Sequence, residues 1–213
     1  VISSHFPALL VVAPLLAAPV CVLIHHPGAA WAITAAVSWA TFTIAGVLLT
    51  QVNDSGLIVY AMGSWAAPWG IEYRVDQANA FVLLIVSGSS ALATIFARKS
   101  VHREIAVDRI SLFYTAWCLN LTGLLGIVIT GDAFNLFVFL EIASLSSYAL
   151  VSLGRDRRGL LAAFRYLIIG TIGATFILIG IGLLYMMTGS LNLYDISVRM
   201  GDIAHTRTVR SAF

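Results

Sequence analysis

Six long runs of apolar residues, each long enough to cross a lipid bilayer, most constrain the fold of this chain. A bilayer core about 30 Å thick needs roughly 20 apolar residues in a helix. Hydrophobic residues make up 60% of the chain and charged residues only 10%, against roughly 25% charged in soluble domains. The sequence therefore predicts an all-α polytopic membrane protein. We expect six transmembrane helices, at 6–24, 31–50, 78–97, 111–129, 133–153 and 160–187.

The basic residues between these runs predict how the helices are oriented. Short loops rich in lysine and arginine face the cytoplasm in most membrane proteins. The basic loops 98–110 and 154–159 fall on the same side, so we expect both to be cytoplasmic. The N-terminus, the loop 51–77 and the tail from Thr188 would then lie outside, although three arginines in the tail weaken this assignment.

The loop 51–77 has the pattern of a β-hairpin. Residues 57–60 and 71–75 are strand-like, and glycines and a proline between them supply turns. We expect an outer hairpin that covers helix ends, in preference to a ligand site.

Several functional classes are excluded by what the chain contains. A net charge of +2 is too small for nucleic-acid binding. A disulfide scaffold is excluded because Cys21 and Cys118 both lie inside apolar runs, where cysteine behaves as a small hydrophobic residue. The five histidines fall at helix ends or in loops, so the sequence predicts neither a metal site nor a bound cofactor. They are His5, His25, His26, His102 and His205.

One charged residue stands inside an apolar run. Glu141 lies about 12 Å along the fifth predicted helix, where a carboxylate costs several kcal/mol and needs a partner in the bundle interior. Ser144 and Tyr148 follow at i+3 and i+7, on the same helix face. This polar stripe could relay protons or hold the water that does; alternatively, the two hydroxyls only hydrogen-bond neighbouring helices.

Three other polar residues are candidates for supporting roles. Asn120 in the fourth helix could point towards Glu141, but a hydrogen bond between helices is favoured. Asp132 follows a glycine and is a good N-cap for the fifth helix, with a point of ion uptake as the alternative. Arg165 is expected to extend to the cytoplasmic interface, or to act on Glu141 from a distance.

Three sequence segments resemble a known family. Residues 130–141 read TGDAFNLFVFLE and are followed by LSSY at 145–148; AFRYL at 163–167 and TGSLN at 188–192 accompany them. Together they resemble the antiporter-like subunits shared by Mrp-type cation/proton antiporters and respiratory complex I. Residues 134–137 are most similar to the D subunit of the Mrp antiporters, and membrane-bound hydrogenases carry related subunits.

The resemblance implies a fold of about fourteen helices built from inverted repeats. Residues 1–110 would supply three N-terminal helices, and 111–213 would begin the first repeat. In the family, the glutamate that maps to Glu141 pairs with a lysine on a seventh helix. The only lysine here is Lys99, in a predicted loop, so we expect the partner lysine to come from a C-terminal continuation or a separate chain.

Three functions follow as hypotheses. The first is an ion-translocating subunit of a Mrp-type antiporter in the bacterial inner membrane, which exchanges Na⁺ or another monovalent cation for protons beside other antiporter subunits. The second is a proton-pumping subunit of a complex I-like enzyme or a membrane-bound hydrogenase. The third is a structural membrane anchor in which Glu141 is a satisfied buried acid.

Overall fold

The computed structural model describes residues 3–203 and 206–212, and within them the chain forms eight α-helices and one two-stranded sheet. Six of these helices are long and apolar enough to cross a membrane. The predicted class, an all-α polytopic membrane protein, is therefore confirmed. The helices are α1 (Phe6–Ile24), α2 (Pro27–Ser55), α3 (Gln77–Glu104), α4 (Ile110–Ile129), α5 (Ala133–Ser152), α6 (Arg157–Thr188), α7 (Leu193–Ile203) and α8 (Arg207–Ala212).

The helix starts follow from local sequence. Pro27 begins α2, where the missing N–H of proline costs nothing, and the His26 side chain accepts from the Ala29 N–H at 3.3 Å. Asp76 caps α3 by accepting from the Asn79 N–H at 2.7 Å. These caps satisfy N–H groups that have no partner within the helix.

Two predicted loops are wrong in extent. We expected a loop at 98–110, but α3 continues to Glu104 and only residues 105–109 connect it to α4. The helix outlasts its apolar run because lysine and arginine are good helix formers that also favour a helix C-terminus. The Arg98 guanidinium packs over the Trp31 ring, 4.7 Å from its centroid. The second loop, at 154–159, shrinks because α6 already begins at Arg157.

The first four helices form the packed part of the bundle. One apolar cluster joins Leu10, Leu48, Leu83 and Leu125 from α1 to α4, and a second surrounds Tyr114 near the other end of the bundle. Cys21 and Cys118 are free and buried.

Helix α6 is far more exposed than the first four. It packs against α5 along one side and against the short helices α7 and α8. Large apolar side chains such as Ile169, Phe176 and Met186 are exposed. The last of the predicted histidines, His205, lies outside the described residues.

The expected hairpin is present and is joined to the helix bundle. Strands β1 (Ile58–Ala61) and β2 (Glu72–Val75) are antiparallel, with Tyr60 opposite Tyr73. Tyr73 also forms a bridge with Thr130, and the Gly131 N–H donates to the Glu72 carbonyl at 2.9 Å. The hairpin is thereby held over the junction between α4 and α5.

Candidate functional site

The face of α5 that carries Glu141 is turned away from α4. Helix α4 meets α5 at two glycines: the Phe139 ring packs against Gly126, and the Ala143 backbone packs against Gly123. Glu141 is two residues from Phe139, about 200° round the helix. Its side chain is half-buried and makes no hydrogen bond or ion pair with any residue in 3–203 and 206–212. The partner that we expected is thus not supplied by the described part of this chain.

Ser144 and Tyr148 continue the polar stripe along the same side of α5. Ser144 is half-buried, and its hydroxyl forms no hydrogen bond within the described residues. Tyr148 is only 7% exposed and packs edge-on against Tyr166 of α6, with ring centroids 4.6 Å apart. Its hydroxyl lies directly against Gly170, in the space that a side chain there would fill. Tyr148 therefore joins the Glu141 face to α6.

Asn120 and Arg165 are not brought to Glu141. The Asn120 amide of α4 donates to the Ser147 hydroxyl at 2.7 Å and to the Ala143 carbonyl at 3.0 Å. Both acceptors belong to α5, so Asn120 links the two helices. Arg165 is exposed and has no hydrogen-bond or ion-pair partner in the described ranges.

Asp132 lies at the beginning of α5, about 13.5 Å from Glu141 along the helix axis. It caps α5 by accepting from the Asn135 N–H at 2.7 Å, as its sequence position predicts. The side chain is 8% exposed, and burial raises the pKa of its carboxyl above the ordinary value. The cap is therefore built inside the protein rather than on its surface.

A second buried helix cap, Asn192, was missed by sequence reasoning. It forms an antiparallel bridge with Asp132 and accepts from the Asp195 N–H at 3.0 Å, so it caps α7. Asn192 is 3% exposed, and its Nδ2 donor has no partner in the part of the chain that the structure describes. A sequence signal did exist: at the ends of α4 and α6 a Thr-Gly pair comes shortly before the capping residue, Thr130-Gly131 directly before Asp132 and Thr188-Gly189 three residues before Asn192.

The described residues contain no group of three or more His, Cys, Asp or Glu side chains that could hold a metal ion. What the site does offer is a carboxyl in the middle of a membrane helix, with two hydroxyls beside it. Carboxyl and hydroxyl groups can both donate and accept protons, so the chemistry available here is proton transfer.

Comparison with known proteins finds one family model that matches part of the chain. Residues 130–211 match the family described as NADH:quinone oxidoreductase/Mrp antiporter, transmembrane. The N subunit of the NADH-quinone oxidoreductase of Desulforudis audaxviator is 38% identical over 97% of this chain and 42% of the relative. The D subunit of the Na⁺/H⁺ antiporter of Bacillus subtilis is 31% identical over 76% of this chain and 32% of the relative. The chain thus spans less than half of either relative.

Two solved structures share the fold. In the membrane-bound sulfane sulfur reductase, an archaeal respiratory membrane complex, a chain superposes with a TM-score of 0.86 at 29% identity, over 97% of this chain and 42% of that one. In the Mrp complex from Dietzia sp. DQ12-45-1b, a chain superposes with a TM-score of 0.81 at 22% identity, over 100% of this chain and 40% of that one. The chain is therefore similar to the antiporter-like membrane subunits of Mrp antiporters and respiratory complexes, and its residues 130–211 match their family model.

Proposed function

We propose that this chain is an ion-translocating subunit of a multisubunit Mrp-type antiporter, which exchanges Na⁺ or another monovalent cation for protons, and that Glu141 carries the proton. One observation carries the proposal: Glu141 is an ionisable group inside α5 without a partner among the described residues. A charged group at such a depth is retained at a cost, and it usually marks an ion path. The family match across 130–211 supports the same conclusion.

The mechanism rests on the charge near Glu141. A carboxylate in hydrocarbon is costly, and a neighbouring cation reduces that cost. A positive charge that approaches Glu141 would favour proton release, and its departure would favour proton uptake. The cation we propose is the lysine that the resemblance implies, supplied by a continuation of the chain or by another subunit. Lys99, the only lysine of this sequence, lies near the end of α3.

The other candidate residues have separate proposed tasks. Ser144 and Tyr148 extend the proton path along α5, because a hydroxyl can accept one proton while it donates another. Asn120 supports the path by holding α4 against α5. Asp132 fixes the start of α5, and Arg165 contributes positive charge from the neighbouring helix.

A second candidate is a proton-pumping subunit of a redox-driven complex. The likeness to the N subunit of NADH-quinone oxidoreductase extends over 97% of the chain, further than the likeness to the antiporter's D subunit. In this case Glu141 plays the same role, while other subunits carry out electron transfer. The fold and the Glu141 face serve both candidates equally.

We further propose that the connections at 105–109 and 153–156 face the cytoplasm of a bacterial cell. Five basic residues cluster at or beside these two connections, as the positive-inside rule requires: Arg103, Arg109, Arg155, Arg157 and Arg158. A cysteine introduced at Asp156 should resist an impermeant thiol reagent in intact cells and react in inside-out vesicles. The reverse pattern would overturn the assignment.

The experiment compares the native complex with its Glu141→Gln variant in inside-out vesicles at matched assembly. Proton movement is recorded twice: once driven by a Na⁺ gradient, and once by the electron donor of the host's respiratory chain. Loss of Na⁺-driven proton movement in the variant supports the antiporter. Loss of donor-driven movement alone supports the redox pump.

A matched control keeps the test specific. Asp54 is an exposed acid near the end of α2 with no ion pair in the described ranges, and Asp54→Asn should leave both activities unchanged. Unaltered proton movement per assembled Glu141→Gln complex would contradict both transport proposals and leave the structural anchor.

A further inference from the structure

Two cysteines from distant parts of the sequence meet inside the bundle. Cys21 belongs to α1 and Cys118 to α4, and both thiols lie beside one hydroxyl of α2. The Thr34 Oγ1 is 3.8 Å from the Cys21 Sγ and 3.4 Å from the Cys118 Sγ, and the two thiols hydrogen-bond each other. Both cysteines are free, so the bundle holds two thiols in contact that no covalent bond joins.

Helices α1 and α4 approach each other closely beside this pair. The Thr115 hydroxyl of α4 donates to the Ala18 carbonyl of α1 at 3.3 Å, and these two residues each precede one of the cysteines by three positions. A short side chain of one helix therefore reaches the backbone of the other. A disulfide requires Cα atoms about 4.4–6.8 Å apart, and such close packing brings two helices into that range.

The pair lies near one end of the bundle. Cys21 is three residues before the end of α1, about 4.5 Å along its axis, and its thiol donates to the Ala30 carbonyl in the first turn of α2 at 3.7 Å. Only His25 and His26, which are both exposed, connect the two helices. The cysteines themselves are at most 1% exposed. A reagent that reaches them must therefore be small, and an uncharged one avoids the cost of entering an apolar core.

From this arrangement we infer that Cys21 and Cys118 form a reversible oxidation site, at which hydrogen peroxide converts the thiol pair into a disulfide that joins α1 to α4. One sulfur attacks a peroxide oxygen and becomes a sulfenic acid, with release of one water. The second thiol then attacks that sulfur, the S–S bond forms and a second water leaves. Two thiols and one hydrogen peroxide thus give one disulfide and two waters, and a dithiol reductant reverses the change.

The experiment treats the complete native complex with hydrogen peroxide and removes the excess with catalase. The complex is then denatured in N-ethylmaleimide, which blocks every remaining thiol, and its proteolytic peptides are analysed by mass spectrometry. We expect a peptide pair linked through Cys21 and Cys118, which dithiothreitol separates into two peptides with free thiols. Recovery of the two cysteines as maleimide adducts, as sulfinic or sulfonic acids, or in links to another subunit would overturn the proposal.

A matched variant tests whether the contact between the thiols decides the outcome. Cys118→Ser with Thr122→Cys moves the thiol of α4 by one turn, about 6 Å, towards the other end of the bundle. Thr122 is buried as completely as Cys118, so the variant keeps two buried cysteines on the same two helices. Its linked peptide should be at least about tenfold less abundant, because separated cysteines are not bridged without backbone movement. Equal linkage in both complexes would mean that oxidation follows opening of the bundle, and it would contradict the inference.

Discussion

Asp132 and Asn192 lie opposite each other in an antiparallel bridge, and each side chain caps the helix that follows it. The Ala133 N–H donates to the Leu191 carbonyl at 2.8 Å, and the Leu193 N–H donates to the Gly131 carbonyl at 2.9 Å. The starts of α5 and α7 are therefore joined by backbone hydrogen bonds. Glu141 is carried by a helix whose first turn is fixed in this way.

Two substitutions at Asp132 separate its role as a helix cap from the charge of its carboxylate. Asp132→Ala removes the acceptor for the Asn135 N–H and should lower the free energy of unfolding by about 1 kcal/mol. Asp132→Asn keeps a capping oxygen and should retain most of that stability. Thermal unfolding of the assembled complex measures both. Equal stability of the alanine and asparagine variants would show that the cap contributes nothing.

The Asp132 charge should appear in the pH dependence of stability. Because burial raises the pKa of this carboxyl in the folded state, the folded protein binds its proton more tightly than the unfolded chain does. That contribution is present at low pH and is lost as pH rises from about 3.8 through the raised value. Relative to Asp132→Asn, the unmodified complex should therefore lose thermal stability as the pH rises above about 4. A constant difference across this range would contradict the prediction.

Gly170 and Gly173 provide a matched pair on α6. The Tyr148 hydroxyl occupies the position of a Gly170 side chain, whereas nothing lies within 4 Å of one at Gly173. Gly170→Ala should lower the free energy of unfolding by about 1–3 kcal/mol through overpacking. Gly173→Ala should be neutral or stabilising by up to about 1 kcal/mol, because alanine favours helix. The thermal midpoints of the assembled complexes give the comparison.

Most of the clash can be assigned to the Tyr148 hydroxyl, although the ring carbon that bears it also lies only 2.8 Å from the position of a Gly170 Cβ. Adding Tyr148→Phe to Gly170→Ala removes the hydroxyl and should recover much of the lost stability. No recovery would mean that Gly170 is required for another reason.

Asn120 should stabilise the contact between α4 and α5. Asn120→Ala removes two hydrogen bonds to α5 and should cost about 0.6–2 kcal/mol. Thr122→Val is the control, because the Thr122 hydroxyl donates within its own helix, to the Cys118 carbonyl. A double-mutant cycle with Ser147→Ala isolates the side-chain pair. A coupling energy near zero would show that the Asn120–Ser147 bond does not join the helices.

The membrane helices could be predicted from hydropathy because each must supply a continuous apolar run. The bounds of α1, Phe6–Ile24, agree with the predicted 6–24, since both ends of that run are sharp. The end of α3 could not be predicted, because hydropathy marks where the lipid stops, whereas a helix ends where its hydrogen bonds do. Arg98, Lys99 and Arg103 all lie in the part of α3 that hydropathy left out.

The candidate site was only partly accessible from sequence. Glu141 could be identified as a candidate because a carboxyl group inside an apolar run is costly unless it has a partner or a function. The Asp132–Asn192 bridge pairs residues 60 positions apart, and no helical or strand period reveals such a contact. The packing of Tyr148 on Gly170 was likewise invisible, since spacing gives the face of a residue but not its neighbour on another helix.

The hydrogen bonds around Gly131 and Ala133 decide how α5 can move. A shift of α5 along its axis by even one residue, about 1.5 Å, would break the bonds to Leu191 and to Glu72 together. The other end of α5, at Ser152, has no such backbone attachment to a neighbouring strand within the described residues. The first turn of α5 is thus fixed, and if Glu141 carries the proton as proposed, we expect the accompanying displacement of α5 to be a rotation about Ala133 and not a translation along the helix axis.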